Sequence, residues 1–219
     1  MERTISIEVG KGSQAHNSRK FKASNVDAER TQNNICCCNE NIRNVYHELF
    51  DDAVKRCNDK QTRADRKIDD YYKKIRTGKQ EKLFHEIVVQ IGNRDDTNVQ
   101  GEHCELAGKI LDEYYSGFIE RNPQLRVFSA HLHLDEETPH LHIDFVPFMT
   151  GSKRGLDTRV TLKQALAMQG FKGGSREETE WSQWVQSEKE VLADVMKRHG
   201  VEWLQLGKKR EHLSVLDYK

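Results

Sequence analysis

His131-Leu-His-Leu-Asp-Glu-Glu-Thr-Pro-His-Leu-His-Ile-Asp-Phe-Val-Pro147 is the stretch of this chain that decides the fold. Four of the ten histidines lie within these 17 residues, as the pairs His131/His133 and His140/His142. Because side chains alternate between the two faces of a strand, each pair places both imidazoles on one face. An acidic turn that contains proline separates the pairs. The stretch therefore predicts a β-hairpin with its histidines on one side.

The register of this hairpin decides which imidazoles can meet. A turn centred on Glu137 and Thr138 would place His133 opposite His142 and diagonal to His140, within reach of one metal ion. Three imidazoles on one face, with coordination positions left for a substrate, are typical of a catalytic metal site. The alternative is scattered polar surface, which two alternating pairs around an acidic turn make a weaker explanation.

Composition indicates a soluble protein with a charged surface. The 219 residues are 36% hydrophobic and 32% charged, enough to bury a core as one large domain or two small ones. No apolar run approaches the roughly 20 residues of a membrane span, and the N-terminus lacks a signal-peptide core. We therefore expect a cytoplasmic protein with no membrane partner. The net charge of zero argues against a global basic field for nucleic acid but permits a local basic groove.

The cysteines fit a reducing compartment. Cys36, Cys37 and Cys38 are adjacent and cannot build an ordinary disulfide framework, while Cys57 and Cys104 have no CxxC spacing. We interpret the three adjacent residues as small strand residues.

The order of predicted elements indicates the fold class. Alternation and apolar runs predict strands over residues 3–9, 34–38, 83–91, 125–134 and 141–148. Helical spacing predicts helices over 42–57, 71–75, 102–120, 161–168 and 180–199, the last two bounded by Thr161 and Gly200. Residues 10–25 predict a loop, and Pro147 is expected to end the second hairpin strand. We expect an α+β domain with a central, mainly antiparallel β-sheet flanked by helices.

The predicted loop after the first strand contains a second motif, His16-Asn-Ser-Arg19. A histidine three residues before an arginine is weak by itself, since loop histidines are common. Its value comes from its combination with the hairpin.

Together the two motifs resemble the Pre/Mob plasmid-mobilisation relaxases (the MobV class) of the HUH superfamily of single-strand endonucleases. The pattern His-x-Asp-Glu-x-Thr-Pro-His-x-His-x-x-x-Val-Pro is filled from His133 to Pro147, and His-Asn-x-Arg from His16 to Arg19. Other parts of the chain that resemble this family are residues 25–31, 153–166, Trp181 and 213–218. The resemblance implies an HUH relaxase-like fold, with residues 1–219 as a single relaxase (nicking) domain. We expect this domain to be the N-terminal part of a longer bacterial, cytoplasmic protein.

The resemblance also implies the chemistry. Family members nick one DNA strand at a plasmid or transposon origin of transfer by transesterification, which leaves a free 3′-hydroxyl and a protein-linked 5′-phosphate. The implied metal ligands are His133, His140 and His142, with Glu136 contacting the metal, orienting a ligand or water, or transferring a proton. The family implies Mn²⁺, with Mg²⁺ as an alternative, whereas three imidazoles by themselves favour Zn²⁺ or another late transition metal. The role of His131, outside the family pattern, stays open between ligand support and DNA contact.

The implied nucleophile is His16, which would form a phosphoramidate with DNA, since neutral imidazole is nucleophilic at physiological pH. Arg19 would neutralise phosphate charge or position His16. The alternative nucleophile by position is Tyr46, although its helical phase favours a core role. Tyr71 and Tyr72 are candidates for stacking on DNA.

The implied partner is single-stranded or supercoiled origin-of-transfer DNA. Candidate phosphate contacts are Lys11, Lys20, Lys22, Arg76, Lys153, Arg154 and Arg159. Dimerisation through a further C-terminal region and a coupling protein of a transfer system are also expected. The competing hypotheses are an HUH replication initiator or transposase, a metal-dependent hydrolase of a non-DNA substrate, a DNA-binding module without catalysis, and a metal-binding protein without enzymatic activity.

Overall fold

The structure is a computed structural model that describes residues 1–206, and residues 213–218 of the resemblance lie outside that part. Within it, the strands are β1 (Glu2–Arg3), β2 (Ile5–Val9), β3 (Ile35–Asn39), β4 (His85–Ile91), β5 (Leu125–His133), β6 (His140–Met149), β7 (Arg159–Val160) and β8 (Glu202–Trp203). The helices are α1 (Gln14–Asn17), α2 (Ile42–Asp59), α3 (Tyr71–Thr77), α4 (Cys104–Ser116), α5 (Phe118–Arg121), α6 (Leu162–Met168) and α7 (Glu180–Arg198).

A central antiparallel sheet organises the molecule, with strand order β2-β4-β6-β5-β3 and β7 paired to the far end of β6. Every pairing within it is antiparallel. The strands β1 and β8 form a separate parallel pair. The predicted α+β class with a mainly antiparallel sheet flanked by helices is confirmed.

One face of the sheet carries the main hydrophobic core. In β4, Ile87, Val89 and Ile91 alternate onto this face and are at most 2% exposed. Side chains of α4, α6 and α7 pack against them in one continuous cluster. Burial of this size is the main favourable contribution to folding, since each large aliphatic side chain contributes about 1.5–3 kcal/mol.

The opposite face is divided between a second core and the polar site. Over one part of it, Tyr46 and Phe50 of α2 pack against Val146 of β6. Toward the other end of β6 the same face carries His142 and His140, and α1 lies against β5 there. Side chains along β6 alternate between the two faces, so these residues share one face. The polar site therefore forms where the apolar side chains of α2 no longer cover the sheet.

A buried carboxylate joins the helices behind the sheet. Glu188 of α7 accepts hydrogen bonds from the Tyr114 hydroxyl at 2.6 Å and from Asn122 Nδ2 at 2.9 Å. Arg121 forms an ion pair with the same carboxylate at 3.0 Å. The charge of Glu188 is therefore compensated inside the protein, as a buried carboxylate requires.

Several predicted features differ from the structure. The helix predicted over 102–120 is two helices, α4 and α5, which meet at Gly117, where the lack of a side chain favours an interruption. The loop predicted over 10–25 contains the single-turn helix α1. Thr161 does precede α6, but its side chain makes no capping hydrogen bond.

Pro147 does not end the second hairpin strand, since β6 continues to Met149. The strand β4 pairs with β6 only as far as Phe145, which lies opposite His85. Pro147 therefore lies beyond the part of β6 that needs a donor toward β4. Its carbonyl still accepts a hydrogen bond, from the backbone of Thr161 at 3.1 Å.

Among residues 1–206, none of the helices has both the length and the apolar character that crossing a membrane requires.

Candidate metal and nucleophile site

The histidine hairpin forms as predicted, but in a different register. His133 lies opposite His140, and His131 lies opposite His142, so the predicted pairing of His133 with His142 is wrong. The turn is centred between Glu136 and Glu137 because tertiary contacts hold it. All four imidazoles nevertheless lie on one face of the sheet, because a register shift of two residues preserves the alternation.

The three predicted ligands form a compact buried cluster. The ring centroid of His133 lies 5.2 Å from that of His140 and 4.7 Å from that of His142, and the last two are 4.9 Å apart. Each of the three residues is at most 9% exposed. His131 lies beside the cluster, with its ring 6.4 Å from that of His133 and its Nε2 without a partner within residues 1–206.

The hydrogen bonds of His133 and His140 determine where their lone pairs point. His133 Nε2 lies 2.8 Å from the carbonyl oxygen of Asn17, and His140 Nδ1 lies 2.7 Å from that of Thr138. Carbonyl oxygens only accept, so both nitrogens carry hydrogen. In neutral rings the other two nitrogens, which lie 3.3 Å apart, then direct lone pairs at each other.

Burial keeps these rings neutral. Desolvation, helped by neighbouring histidines, lowers the pKa of His133 to about 2 and that of His140 to about 4. Two facing lone pairs repel unless a cation lies between them. Two imidazole nitrogens on one tetrahedral ion, at about 2.0–2.1 Å each, lie roughly 3.3 Å apart. The observed separation therefore fits a shared divalent ion.

The third ring completes the donor set. His142 Nδ1 lies 2.7 Å from Glu86 Oε1, which leaves the buried Nε2 without a hydrogen-bond partner in the described part of the chain. An orphaned buried nitrogen of this kind is expected of a metal ligand whose other nitrogen is fixed by a carboxylate. The residues present thus fit a metal ion.

The potential ligand atoms fall into two overlapping groups. Atoms of His16, His133 and His142 lie within 4.8 Å of one another, as do atoms of His133, Glu136 and His140. The predicted set of three histidines is therefore split between the groups, with His133 common to both. The exact ligand set stays a prediction.

His16 lies beside this cluster, on α1. Its Nε2 is 3.2 Å from Glu136 Oε1, and its ring centroid is 5.7 Å from that of His133 and 5.9 Å from that of His142. Burial lowers the pKa of His16, the Glu136 carboxylate opposes that shift, and the Arg19 guanidinium adds to it. A neutral imidazole thus faces the candidate metal site, as a nucleophile requires.

Arg19 holds the loop that carries His16 to the hairpin turn. Its guanidinium forms hydrogen bonds with Asp135 and with Glu136 Oε1, the latter at 2.7 Å, and it donates to the His16 carbonyl at 3.1 Å. The backbone of Arg19 has a φ of 56°, in the left-handed region. This geometry supports the positioning role for Arg19, since carboxylates occupy its donors.

Asp135 and Glu136 are the acidic partners in the turn. Burial by itself would raise the pKa of Asp135, but hydrogen bonds from Arg19 and Asn34 lower it overall. Burial likewise opposes ionisation of Glu136, while His140 and Arg19 lower its pKa overall. Both carboxylates are therefore held in the charged form.

Three polar residues whose roles sequence reasoning missed connect the loop that carries His16 to the predicted ligands. Asn17 Nδ2 donates to Glu86 Oε1 at 2.6 Å and to Asp144 Oδ2 at 3.3 Å. Glu86 also accepts a hydrogen bond from the backbone of Gly12 and holds His142. Burial, followed by the nearby Glu86 charge, raises the pKa of Asp144 to about 6.

Signals for two of these residues are present in the sequence. His140, His142 and Asp144 continue one alternation, so Asp144 shares the face of the histidines. Glu86 interrupts the apolar run predicted over 83–91, at a position that alternates with the core residues. Asn17 is a fixed position of the first motif, but no pattern in the sequence indicates its hydrogen-bond partners, which lie far away in the chain.

The predicted DNA contacts fall into separate places. Lys11 and Arg76 line a cleft of about 430 Å³, whose inner wall includes Glu86. This cleft adjoins the histidine cluster through Glu86 and does not contain it. Lys20 and Lys22 are exposed on the loop that follows α1.

The remaining predicted contacts lie far from the histidines. The strand β7 pairs with Phe148 and Met149, roughly 20 Å along β6 from His142 at about 3.4 Å a residue. The candidates near this end of β6 are Lys153, Arg154 and Arg159. The structure does not bring them together with the site.

Tyr46 lies in the core and away from the site. Its side chain is 3% exposed, its hydroxyl donates to the Leu83 carbonyl at 2.7 Å, and burial raises its pKa. Tyr71 packs in the same cluster and accepts a hydrogen bond from the backbone of Val160, while the Tyr72 ring lies beneath the Arg43 guanidinium. A buried, hydrogen-bonded phenol is poorly placed to attack DNA.

Comparison with known proteins identifies the relatives of the chain. The family model described as plasmid recombination enzyme (Mob_Pre) matches residues 12–219. A plasmid recombination enzyme type 2 from Staphylococcus aureus (strain N315) is 26% identical over 216 residues, which cover 95% of this chain and 42% of that protein. A plasmid recombination enzyme from a Bacillus species is 25% identical over 148 residues, covering 66% of this chain and 32% of the relative. The chain thus spans less than half the length of the curated relatives it matches.

Two solved structures share the fold. The MobM relaxase domain (MOBV; Mob_Pre) bound to plasmid pMV158 oriT DNA, in its Mn-bound crystal structure at pH 4.6, aligns with a TM-score of 0.55 at 21% identity. The alignment covers 100% of this chain and 98% of that one. The complex with a 3′-thiophosphate strand at pH 6.8 aligns with a TM-score of 0.54 at 22% identity, over 100% and 97% of the two chains. The expectation of a relaxase-like fold is confirmed.

Proposed function

The chain belongs to the Mob_Pre family of plasmid recombination enzymes, and on this premise we propose that it is a metal-dependent DNA relaxase domain. It nicks one strand at an origin of transfer on a plasmid or transposon. The reaction leaves a free 3′-hydroxyl and a covalent link between the protein and the 5′-phosphate, as conjugative mobilisation requires. Residues 1–219 form a single nicking domain in this proposal, and it acts in the bacterial cytoplasm.

The observation that carries the proposal is the placement of His16. A neutral imidazole lies 3.2 Å from a carboxylate and within 6 Å, ring to ring, of two histidines whose free nitrogens fit a metal ion. The proposed nucleophile, proton acceptor and metal site thus lie close together. Transesterification at phosphorus needs this combination of groups.

The metal we propose is Mn²⁺, held by His133, His140 and His142 with Glu136 beside them. Mn²⁺ is the ion in the MobM structures, whose fold this chain shares. Mg²⁺ and Zn²⁺ are the alternatives, and Zn²⁺ agrees with the nitrogen-rich donor set. When bound, the ion supplies Lewis-acid stabilisation of charge on the phosphoryl oxygens.

The side chains of His16 and Glu136 account for the bond changes. Glu136 Oε1, near His16 Nε2, accepts the proton from that nitrogen, which leaves the electron pair of Nδ1 for attack on phosphorus. The new P–N bond replaces the bond from phosphorus to the 3′-oxygen, and the displaced proton ends on that oxygen. Arg19 holds Glu136 and the His16 backbone in place during the exchange.

The proposed partner is single-stranded or supercoiled DNA of the transfer origin. The exposed lysines of the loop after α1 and the basic residues of the adjoining cleft are the nearest candidates for phosphate contacts. Self-association through a region outside this chain and contact with a coupling protein are further proposals, which rest on the family resemblance.

A nicking assay tests the function. Supercoiled plasmid that carries the cognate origin is incubated with the protein and Mn²⁺, then treated with protease to reveal a DNA-linked species. We expect relaxed plasmid with a protein-linked 5′ end, and loss of both in His16→Phe. His47→Phe, at an exposed histidine of α2, is the matched control and should nick normally.

The other outcomes identify the competing hypotheses. A covalent adduct that persists in His16→Phe would move the nucleophile to a tyrosine, as in other HUH initiators or transposases. Nicking without any covalent species would indicate a hydrolase with a metal-bound water. If the protein binds origin DNA but does not nick it with any divalent metal, the protein is a DNA-binding module without catalysis.

A further inference from the structure

Phe21 is an exposed aromatic ring on the loop that follows α1. Its side chain is 60% exposed, and it is the aromatic member of the exposed large hydrophobic residues within residues 1–206. Single exposed apolar residues are common and need no explanation by themselves. The surroundings of Phe21 are what distinguish it.

The backbone places Phe21 beside the proposed nucleophile. Its N–H donates to the carbonyl of Ala15 at 2.9 Å, and Ala15 directly precedes His16. The left-handed backbone of Arg19 turns the chain back toward α1. Since Arg19 is itself bonded to the hairpin turn, the segment carrying Phe21 is anchored at the site.

The charges around Phe21 suit a nucleic-acid strand. Lys20 and Lys22 flank it, and both are exposed. Proteins that hold single strands combine cations, which contact phosphates, with exposed aromatic rings, on which bases stack. Other exposed hydrophobic residues, such as Ile119 and Met168, lie on α5 and α6 and lack an aromatic ring.

We propose that Phe21 stacks on a base of single-stranded DNA next to the phosphate that His16 attacks, while Lys20 and Lys22 contact the flanking phosphates. The inference rests on the proposed function and adds a contact that fixes the strand on the protein. Stacking tolerates any base, so Phe21 positions the strand and leaves sequence selection to other contacts.

Three substitutions of Phe21, measured with two DNA oligonucleotides, distinguish stacking on a base from a packing role within the protein. The probes are a fluorescent oligothymidine of about 20 nucleotides, longer than the ~4–16 nucleotides of a typical binding module, and the same strand with abasic sites throughout. Phe21→Ala and Phe21→Leu should weaken binding of the thymidine strand roughly 5- to 150-fold, and Phe21→Trp should restore it. On the abasic strand, Phe21→Ala should bind like the unsubstituted protein.

Matched variants test the remaining parts of the proposal. Ile119→Ala removes a side chain of similar exposure on α5 and should leave binding unchanged. Lys20→Ala and Lys22→Ala should weaken binding to both strands alike and reduce its salt dependence, since they act on phosphates. Phe21→Ala should raise the KM for nicking with little change in kcat.

Several results would overturn the inference. Base stacking is excluded if the Phe21→Ala variant binds the thymidine strand normally. It is also excluded if the variant loses as much affinity for the abasic strand as for the thymidine strand. Either result leaves the relaxase proposal intact. A change in sedimentation without a change in DNA binding would assign Phe21 to a contact between copies of the chain. Failure of the unsubstituted protein to bind any strand or nick the origin would refute both proposals.

Discussion

At the scale of single residues, Glu86 shows how one buried carboxylate can organise a site. It holds His142 Nδ1 at 2.7 Å, accepts from Asn17 at 2.6 Å and accepts from the Gly12 backbone. Fixing Nδ1 directs Nε2 into the cluster, which is the usual role of a carboxylate behind a metal-binding histidine. The same carboxylate fixes the loop that carries His16, so the proposed nucleophile and one candidate ligand are held by the same residue.

His85 makes folding stability depend on pH. It stacks on Phe145 with ring centroids 6.2 Å apart, and burial, with a smaller effect from Lys82, lowers its pKa to about 4. A depressed histidine pKa means that the unfolded chain binds the proton more tightly. The stability that the neutral His85 side chain contributes is therefore complete above pH 6.5 and is lost as the pH falls toward 4.

Urea unfolding of the unsubstituted protein and His85→Gln, measured with a chelator from pH 7.5 to 5, tests this assignment. The difference in unfolding free energy between the two proteins should shift by about 2 kcal/mol across that range, the variant losing less. Other buried histidines have the same sign of effect, but they are common to both proteins and cancel in the difference. Parallel stability curves would contradict the prediction.

At the scale of elements, the close approach of the β2 end to β4 decides where Glu86 can lie. Gly10 donates its N–H to the Glu86 carbonyl at 3.0 Å. A Cβ built on Gly10 would lie 2.5 Å from Cγ of Glu86 and nearer still to its carboxyl group. Hydrogen bonds hold that carboxyl group in place, so it cannot move away from an added side chain. Only glycine therefore fits at position 10 without a steric clash.

Gly10→Ala should therefore displace Glu86 and loosen its hold on His142. We expect a loss of about 1–3 kcal/mol in unfolding free energy and a roughly 10- to 100-fold loss of Mn²⁺ affinity, by urea unfolding and titration calorimetry. Gly174→Ala, where an added Cβ would meet an ordinary contact at 4.0 Å, is the control. Unchanged Mn²⁺ affinity in Gly10→Ala would show that Glu86 does not act through His142.

The register of the hairpin is also decided between elements. Alternation in the sequence predicts the shared face of the histidines, but the pairing of His133 with His140 depends on where the turn is centred. Asp135 is held by Arg19 and Asn34, about a hundred residues earlier in the chain. Local sequence contains no information on such contacts. The predicted centre of the turn therefore lies one residue too far along the chain.

At the scale of the whole molecule, helices pack on the face of the sheet opposite the histidines and are joined by a buried carboxylate. Glu188 joins α4, α5 and α7 through Tyr114, Arg121 and Asn122. These partners surround a carboxylate that is 4% exposed, so removing it leaves buried donors and a cation without compensation.

Glu188→Ala should lower the unfolding free energy by about 3 kcal/mol in urea while leaving Mn²⁺ affinity of the folded protein unchanged. Glu190→Ala, two positions further along α7 at an exposed site, is the control and should change stability by less than about 0.5 kcal/mol. Equal effects of the two substitutions would show that the buried network contributes little to stability.

The sequence by itself determined the main strands and helices, the common face of the four histidines, and the family that both motifs resemble. These features depend on local periodicity and on residues close together in the chain. Only the tertiary structure decided the register of the hairpin, the burial of Tyr46 and the contacts of Asn17 and Glu86 with the histidines. Those outcomes follow from contacts between distant segments, such as Asn17 and His133, which are 116 residues apart. Local sequence patterns contain no information on the free energy of such contacts.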